Sequence, residues 1–243
     1  VTYHWNWTFF FDVTDDGERY YQWILSGLGW TVTVAVCALA IALVLGSVIG
    51  VIRTTPKKWL VAIGDTYVEI FRNIPLIVQL FLWYQVFPEL LPKAAGDWVK
   101  QDLPDIVPAV LGLGWYTAAR VAEQVKSGIL SLPRGQTNAG LAMGLTLPQV
   151  YRFVLLPMAY RIIMPTLTSE SMNIFKNSSV TYAVGVLELY FQYKQIIEKT
   201  NQVLEITIVV TAIYFILAFS VNRIMAFIET RMRVPGYITG GGK

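Results

Sequence analysis

Charge is scarce in this chain: of 243 residues, 14% are Asp, Glu, Lys or Arg and 55% are hydrophobic, and the mean hydropathy is +0.51. Soluble domains carry about a quarter charged residues, so this balance excludes an ordinary water-soluble globule and makes a polytopic membrane protein the first reading. Cysteine occurs once, at Cys37, which excludes a disulfide within these residues. Histidine also occurs once, at His4, so no cluster with metal-ligand spacing is present and the Ser178-Ser179 pair has no histidine nearby to act as base. Also missing is any run of Gly, four residues and Gly-Lys-Ser/Thr, so the chain has no ATP cradle of this type, and catalysis within it is not expected. The first twenty residues lack the basic start, short apolar core and small-residue cleavage site of a signal peptide.

What the chain does have is length in its apolar runs. Tyr20 to Ile52 is uncharged and exceeds the roughly 20 residues needed to cross the hydrocarbon layer as a helix. Further spans are expected at Trp59–Phe87, Ile106–Val125, Gln149–Thr168 and Val203–Phe227, which makes an all-α membrane protein of about five transmembrane helices. The stretch Glu170 to Gln202 is moderately apolar but interrupted by Lys176 and Glu188. It reads as a shorter, partly re-entrant helix, with a sixth span as the alternative.

Basic residues collect at Arg53, Lys57 and Lys58, at Lys126, Arg134 and Arg152, and at Arg231 and Arg233, which assigns those segments to the cytoplasm. Alternation then puts the N-terminus outside, with Asp12, Asp15, Asp16 and Glu18, and the C-terminus in the cytoplasm. The expected organisation is an interfacial N-terminal segment over residues 1–19, rich in Trp5, Trp7, Phe9 and Phe11, a transmembrane domain over 20–236, and a flexible tail over 237–243.

The segment Gly135 to Pro157, GQTNAGLAMGLTLPQVYRFVLLP, is unusual for its small residues. Thr137 or Asn138 is a plausible N-cap, and Thr146 followed by Pro148 starts another helix, leaving a two-turn helix between spans on the cytoplasmic side. Helical spacing groups Ala139 with Ala142 and Met143, and Gly140 with Gly144, stripping one surface of side chains so that another backbone can approach closely.

This segment resembles the cytoplasmic coupling loop of bacterial ABC-transporter permeases, written EAA, three residues, Gly, nine residues, Ile, any residue, Leu-Pro. Asn138, Ala139 and Gly140 stand for EAA, Gly144 for the glycine, Val154 for the isoleucine, and Leu156 with Pro157 for Leu-Pro. Asn138 replaces the acidic residue and Gly140 the second alanine, so a salt link from that position is ruled out and Gln136 becomes a candidate hydrogen-bond donor. YVEIFRNIPLIVQLF, SGILSLPRGQ and KNSSVTYAVGVLEL resemble, in order, the polar-amino-acid subfamily of these permeases. TAARVAEQV, PELLP, AMGLTLPQ and the terminal RVPG are most similar to members that import glutamate and aspartate. The resemblance implies that Gln136, Asn138, Ala139, Gly140, Ala142 and Gly144 form an ATPase-coupling surface. It also implies that ATP and magnesium belong to a partner, the chain holding no cofactor. The implied partners are a second permease subunit, two ATP-binding subunits and a periplasmic substrate-binding protein, at the bacterial inner membrane.

Charges at membrane depth mark candidate substrate sites, because an arginine near the centre of a span costs roughly 2.5 to 3.5 kcal/mol on insertion scales. Arg120 and Arg161 fall near the middle of their spans, and Glu123 lies one turn beyond Arg120. Arg120 and Glu123 either pair with each other or serve an acidic amino acid, the guanidinium fork holding a carboxylate and Glu123 facing the ammonium. Asn173 and Lys176 form a polar cluster with Asn177 and Ser178 in the interrupted stretch, where transporters often unwind a helix beside substrate. Glu69 and Arg72 are spaced for an intrahelical pair. The reading is an importer permease for polar amino acids, glutamate and aspartate first, working by alternating access. Glutamine or another polar amino acid is the alternative substrate, and an ion-coupled transporter or channel the alternative class.

Overall fold

The computed structural model describes residues 3–232, and the regular elements among them are helices. Expectations about the terminal RVPG, Arg233 and the tail over 237–243 fall outside these residues. α1 runs Tyr20–Ile52, the same bounds that the uncharged run predicts. α2 (Lys58–Asn73) is followed by α3 (Leu76–Phe81), a π-turn over Leu82–Val86 and α4 (Phe87–Leu90). The predicted span Trp59–Phe87 is therefore two helices broken at Ile74-Pro75. Pro75 has no N–H and clashes with a helical residue before it, so Ile74 is extended, with φ −89° and ψ 128°.

α5 (Lys93–Gln101) precedes α6 (Ile106–Leu130), which outlasts its predicted end at Val125. The short α7 (Arg134–Ala142) leads to α8 (Leu147–Val150), a π-turn over Tyr151–Leu155 and α9 (Leu156–Asn177). This helical run continues as a 3-10 turn to Val184, so the predicted boundary at Thr168 lies inside it. α10 (Leu189–Thr200) and α11 (Val203–Met232) complete the order. Among the described residues, three helical stretches are long and apolar enough to cross a membrane, Tyr20–Ile52, Leu147–Val184 and Val203–Met232, or four with the broken α2–α4 pair. Of the five expected spans, α6 is absent from this set despite its 25 residues, since Arg120 and Glu123 lower its hydropathy.

The chain divides into two units, each with its own core. The first comprises residues up to Ala38, Pro75–Leu113 and Asn173–Ser220. Phe9, Tyr20, Ile24, Leu189, Ile196, Ile206 and Val210 form its core. Glu188, fully buried, caps α10 by accepting the Tyr190 and Phe191 amides at 2.8 and 2.7 Å, and accepts the Tyr214 hydroxyl at 3.0 Å. A buried carboxylate is tolerable only when its oxygens are satisfied in this way. Glu205 in the first turn of α11 holds down the N-terminal segment, accepting from the Tyr3 hydroxyl and, at 2.8 Å, from the Asn6 amide. On the exposed side of that segment, Lys199 bonds Asp15 at 2.8 Å and keeps its carboxyl below the usual range.

The second unit comprises Leu39–Ile74, Gly114–Met172 and the residues from Val221. Here Gly46 and Gly50 of α1 face α6 so closely that an added Cβ would lie 2.7 Å from Val121 and 2.6 Å from Val125. This small-xxx-small pair brings the two backbones together without help from water exclusion. Ala118, Val121, Val125, Ile129, Ala159 and Ile163 continue the packing between α6 and α9.

Candidate functional site

The second unit carries both the small-residue helix and the charges of α6. Helix α7 starts at Arg134 after Pro133, so neither Thr137 nor Asn138 is its N-cap as predicted. Proline supplies a fixed φ and lacks an N–H that would go unsatisfied in the first turn, which lets the helix begin without a side-chain cap. At the other end, Leu145 N–H donates to the Gly140 carbonyl at 3.1 Å and Gly144 N–H to the Leu141 carbonyl at 3.0 Å, with Gly144 left-handed at φ 86°. These two bonds form a Schellman motif. Gly144 is thus a helix terminator: an added Cβ there meets nothing within 4 Å, so close approach within this chain is not what requires glycine.

Gly140 also leaves the predicted smooth face. It is buried, and a Cβ would come within 2.9 Å of Val150. Gln136 and Thr137 lie half-buried, whereas Gly135, Asn138, Ala139 and Ala142 are exposed. Their spacing of i, i+3, i+4 and i+7 defines one helical face, with Met143, 83% exposed, at its end. The exposed face therefore keeps Asn138, Ala139 and Ala142, gains Gly135, and excludes Gly140. Thr146 and Gln149 form the predicted start of the next helix, the Thr146 amide donating to Gln149 Oε1 at 2.8 Å, with Pro148 in the first turn. Beside α7 lies a cavity of about 520 Å³ bounded by Thr54, Leu130, Arg134, Thr137, Leu141 and Tyr151.

Arg120 does not pair with Glu123. Its Nε and Nη2 donate to the two oxygens of Glu170 on α9, at 2.8 and 2.9 Å, a bidentate ion pair. The Glu170 side chain is 8% exposed and that of Arg120 41%. Sequence reading missed Glu170, which is fifty positions away on another helix and lies just past Thr168, where the fourth span is predicted to end; α9 runs on to Asn177 and carries it.

Glu123 instead joins a network with Arg53, Asp65, Arg72 and Lys126. Arg53, its side chain 5% exposed, donates to Asp65 at 2.7 Å and to Glu123 at 2.9 Å. Arg72 approaches Glu123 at 3.6 Å, and Lys126 reaches Asp65 at 3.2 Å. Arg72 therefore meets Glu123 in place of the predicted Glu69. Arg53 is also no loose charge flanking α1, because Gly64 of α2 leaves room for its stem, which an added Cβ would meet at 2.5 Å. Three cations and two anions leave the cluster one positive charge in excess, and its buried member, Arg53, contacts both carboxylates, which offsets the cost of burying its charge.

Arg161 is half-buried, with Nη1 3.6 Å from Met158 sulfur and no carboxylate at ion-pair distance among the described residues. Asn173 and Lys176 belong to the first unit, one half-buried and the other exposed. The hydroxyls beside them serve the helix itself, Ser178 donating to Phe175 and Ser179 to Lys176 carbonyls at 2.8 and 2.7 Å. The polar residues Asn173 to Ser178 lie in the last turns of α9 and the start of a tightened 3-10 turn that ends at left-handed Gly185, and the non-helical break in the predicted interrupted stretch falls after them, over residues 186–188.

Comparison with known proteins fits this arrangement. Residues 42–234 match the family described as binding-protein-dependent transport system inner membrane component. Over 241 residues the chain is 45% identical to the glutamate/aspartate import permease protein GltJ of Escherichia coli strain K12, covering 97% of this chain and 98% of that one. It is 31% identical to the probable glutamine ABC transporter permease protein GlnM of Bacillus subtilis strain 168, over 86% of this chain and 92% of that one. Its fold matches the crystal structure of an amino acid ABC transporter with histidines at a TM-score of 0.73 and 27% identity, covering 87% of this chain and 95% of that one.

Proposed function

Because the chain belongs to the family of binding-protein-dependent transport system inner membrane components, we propose that it is the permease subunit of an ATP-driven importer of glutamate and aspartate. The near full-length 45% identity to a glutamate/aspartate import permease carries this reading. The chain is not an enzyme. Hydrolysis of magnesium-bound ATP takes place on two partner subunits, a second permease completes the pore, and a periplasmic binding protein delivers substrate. Five crossings of the bacterial inner membrane, by α1, the α2–α4 pair, α6, α8–α9 and α11, put the N-terminus outside and the C-terminus in the cytoplasm. Lys57, Lys58, Arg134 and Arg152 support that orientation.

In this reading Gly135, Asn138, Ala139 and Ala142 present the face that the ATPase grips, with Gly144 and Gly140 shaping it from behind. Gln136 contributes from its edge. ATP drives transport only through its differential affinity for the closed ATPase pair, whose closure pushes α7 and shifts the permease between outward and inward openings. Arg120 takes a substrate carboxylate, with Arg161 of the same unit as a further candidate contact; Asn173 and Lys176 are candidates of the first unit, each considered apart from that site. Purified transporter, assayed for ATP hydrolysis with each amino acid, tests the substrate: aspartate and glutamate should stimulate, and Arg120→Tyr should weaken that response by about tenfold or more, the loss of one charge-assisted contact. Stimulation by glutamine alone, or an Arg120→Tyr variant with an unchanged aspartate response, contradicts it.

A further inference from the structure

The Arg120–Glu170 pair raises a difficulty for any anion site at Arg120. A guanidinium already neutralised by a bidentate carboxylate offers no fixed positive excess to an incoming carboxylate, and pulling the pair apart would strand two charges at membrane depth. The difficulty disappears if the incoming ligand carries both signs. An α-amino acid presents a carboxylate and an ammonium one bond pair apart, so opening the pair allows Arg120 to take the carboxylate and Glu170 the ammonium. One ion pair breaks and two form, and neither protein charge is left without a partner. The geometry favours such an exchange. Glu170 occupies the Nε–Nη2 edge of the fork, leaving Nη1 outside that contact, and the Arg120 side chain is 41% exposed while Glu170 lies behind it at 8%. A substrate carboxylate can therefore engage the guanidinium before Glu170 lets go. Glu123, the carboxylate that sequence places one turn from Arg120, is held by Arg53 at 2.9 Å.

We infer that Glu170 is a substrate-specificity residue, the carboxylate that receives the substrate's ammonium group when the Arg120–Glu170 pair opens. This rests on the proposed amino-acid import and adds the residue that distinguishes an amino acid from a plain dicarboxylate. The test is binding to the purified permease–ATPase complex without the binding protein, so that delivery does not set the ratio, using glutamate and glutarate, which lacks the ammonium. Wild type should prefer glutamate. Glu170→Gln should weaken glutamate binding by about tenfold or more and collapse the preference over glutarate. The charge-swapped pair, Arg120→Glu with Glu170→Arg, should keep assembly at the wild-type level, read as melting temperature and copurification, while losing glutamate binding. Glu170→Gln retaining the glutamate preference, or a swapped variant that binds glutamate like wild type, overturns the inference and shows the pair to be structural. Wild type that does not bind glutamate overturns the substrate assignment itself, and the inference with it.

Discussion

Two glycines four residues apart in sequence have opposite duties. Gly140 is buried against Val150, and Gly144 stands in open space with a left-handed backbone. A left-handed conformation costs an ordinary L-residue roughly 1 to 2 kcal/mol, and asparagine tolerates it best among them. Replacement of Gly144 by Asn, Ala and Val should therefore lower ATP-driven uptake in that order, Val most, with normal membrane insertion. Equal uptake by all three would show that the Schellman turn is irrelevant to coupling. Sequence alone groups these two glycines on one helical surface, because spacing assumes that the helix continues. The terminating bonds from Gly144 and Leu145 are backbone events that no side-chain pattern announces. Partner choice among charges is similarly hidden. Arg120 and Glu123 are neighbours on one helix, yet each finds a closer opposite charge on another element, Glu170 and Arg53.

Among the elements, the long apolar helices were legible to the residue at α1, where an unbroken run leaves only its ends to be set. They were less legible wherever proline or charge intervenes. Pro75 splits one predicted span, and α9 passes through Thr168, whose hydroxyl is satisfied within the helix by the Met164 carbonyl at 3.0 Å, so the polar side chain does not end it. For α7 the small-residue composition was readable and the direction of its faces was not, since burial of Gly140 depends on Val150 of the next helix. The exposed face yields its own prediction. With Cys37 replaced by Ser, a cysteine at Ala142 should become cross-linked to an ATP-binding subunit of the purified transporter, and a cysteine at Gly140 should not. Ala142→Trp should abolish copurification of that subunit while leaving the permease folded. Copurification that survives Ala142→Trp would move the docking surface elsewhere.

The whole molecule is a passive member of a machine: it has no ATP cradle of its own and no catalytic constellation in its sequence, and its cores are arranged around small residues that let helices approach closely. Family membership makes ATP hydrolysis on a partner the source of work, and this is the claim on which the rest depends. It is tested most directly by loading proteoliposomes with the complete transporter and binding protein and following labelled aspartate uptake with ATP supplied or with an ion gradient alone. The account predicts uptake that requires ATP and persists when ion gradients are collapsed. Uptake driven by an ion gradient in the absence of ATP would contradict it.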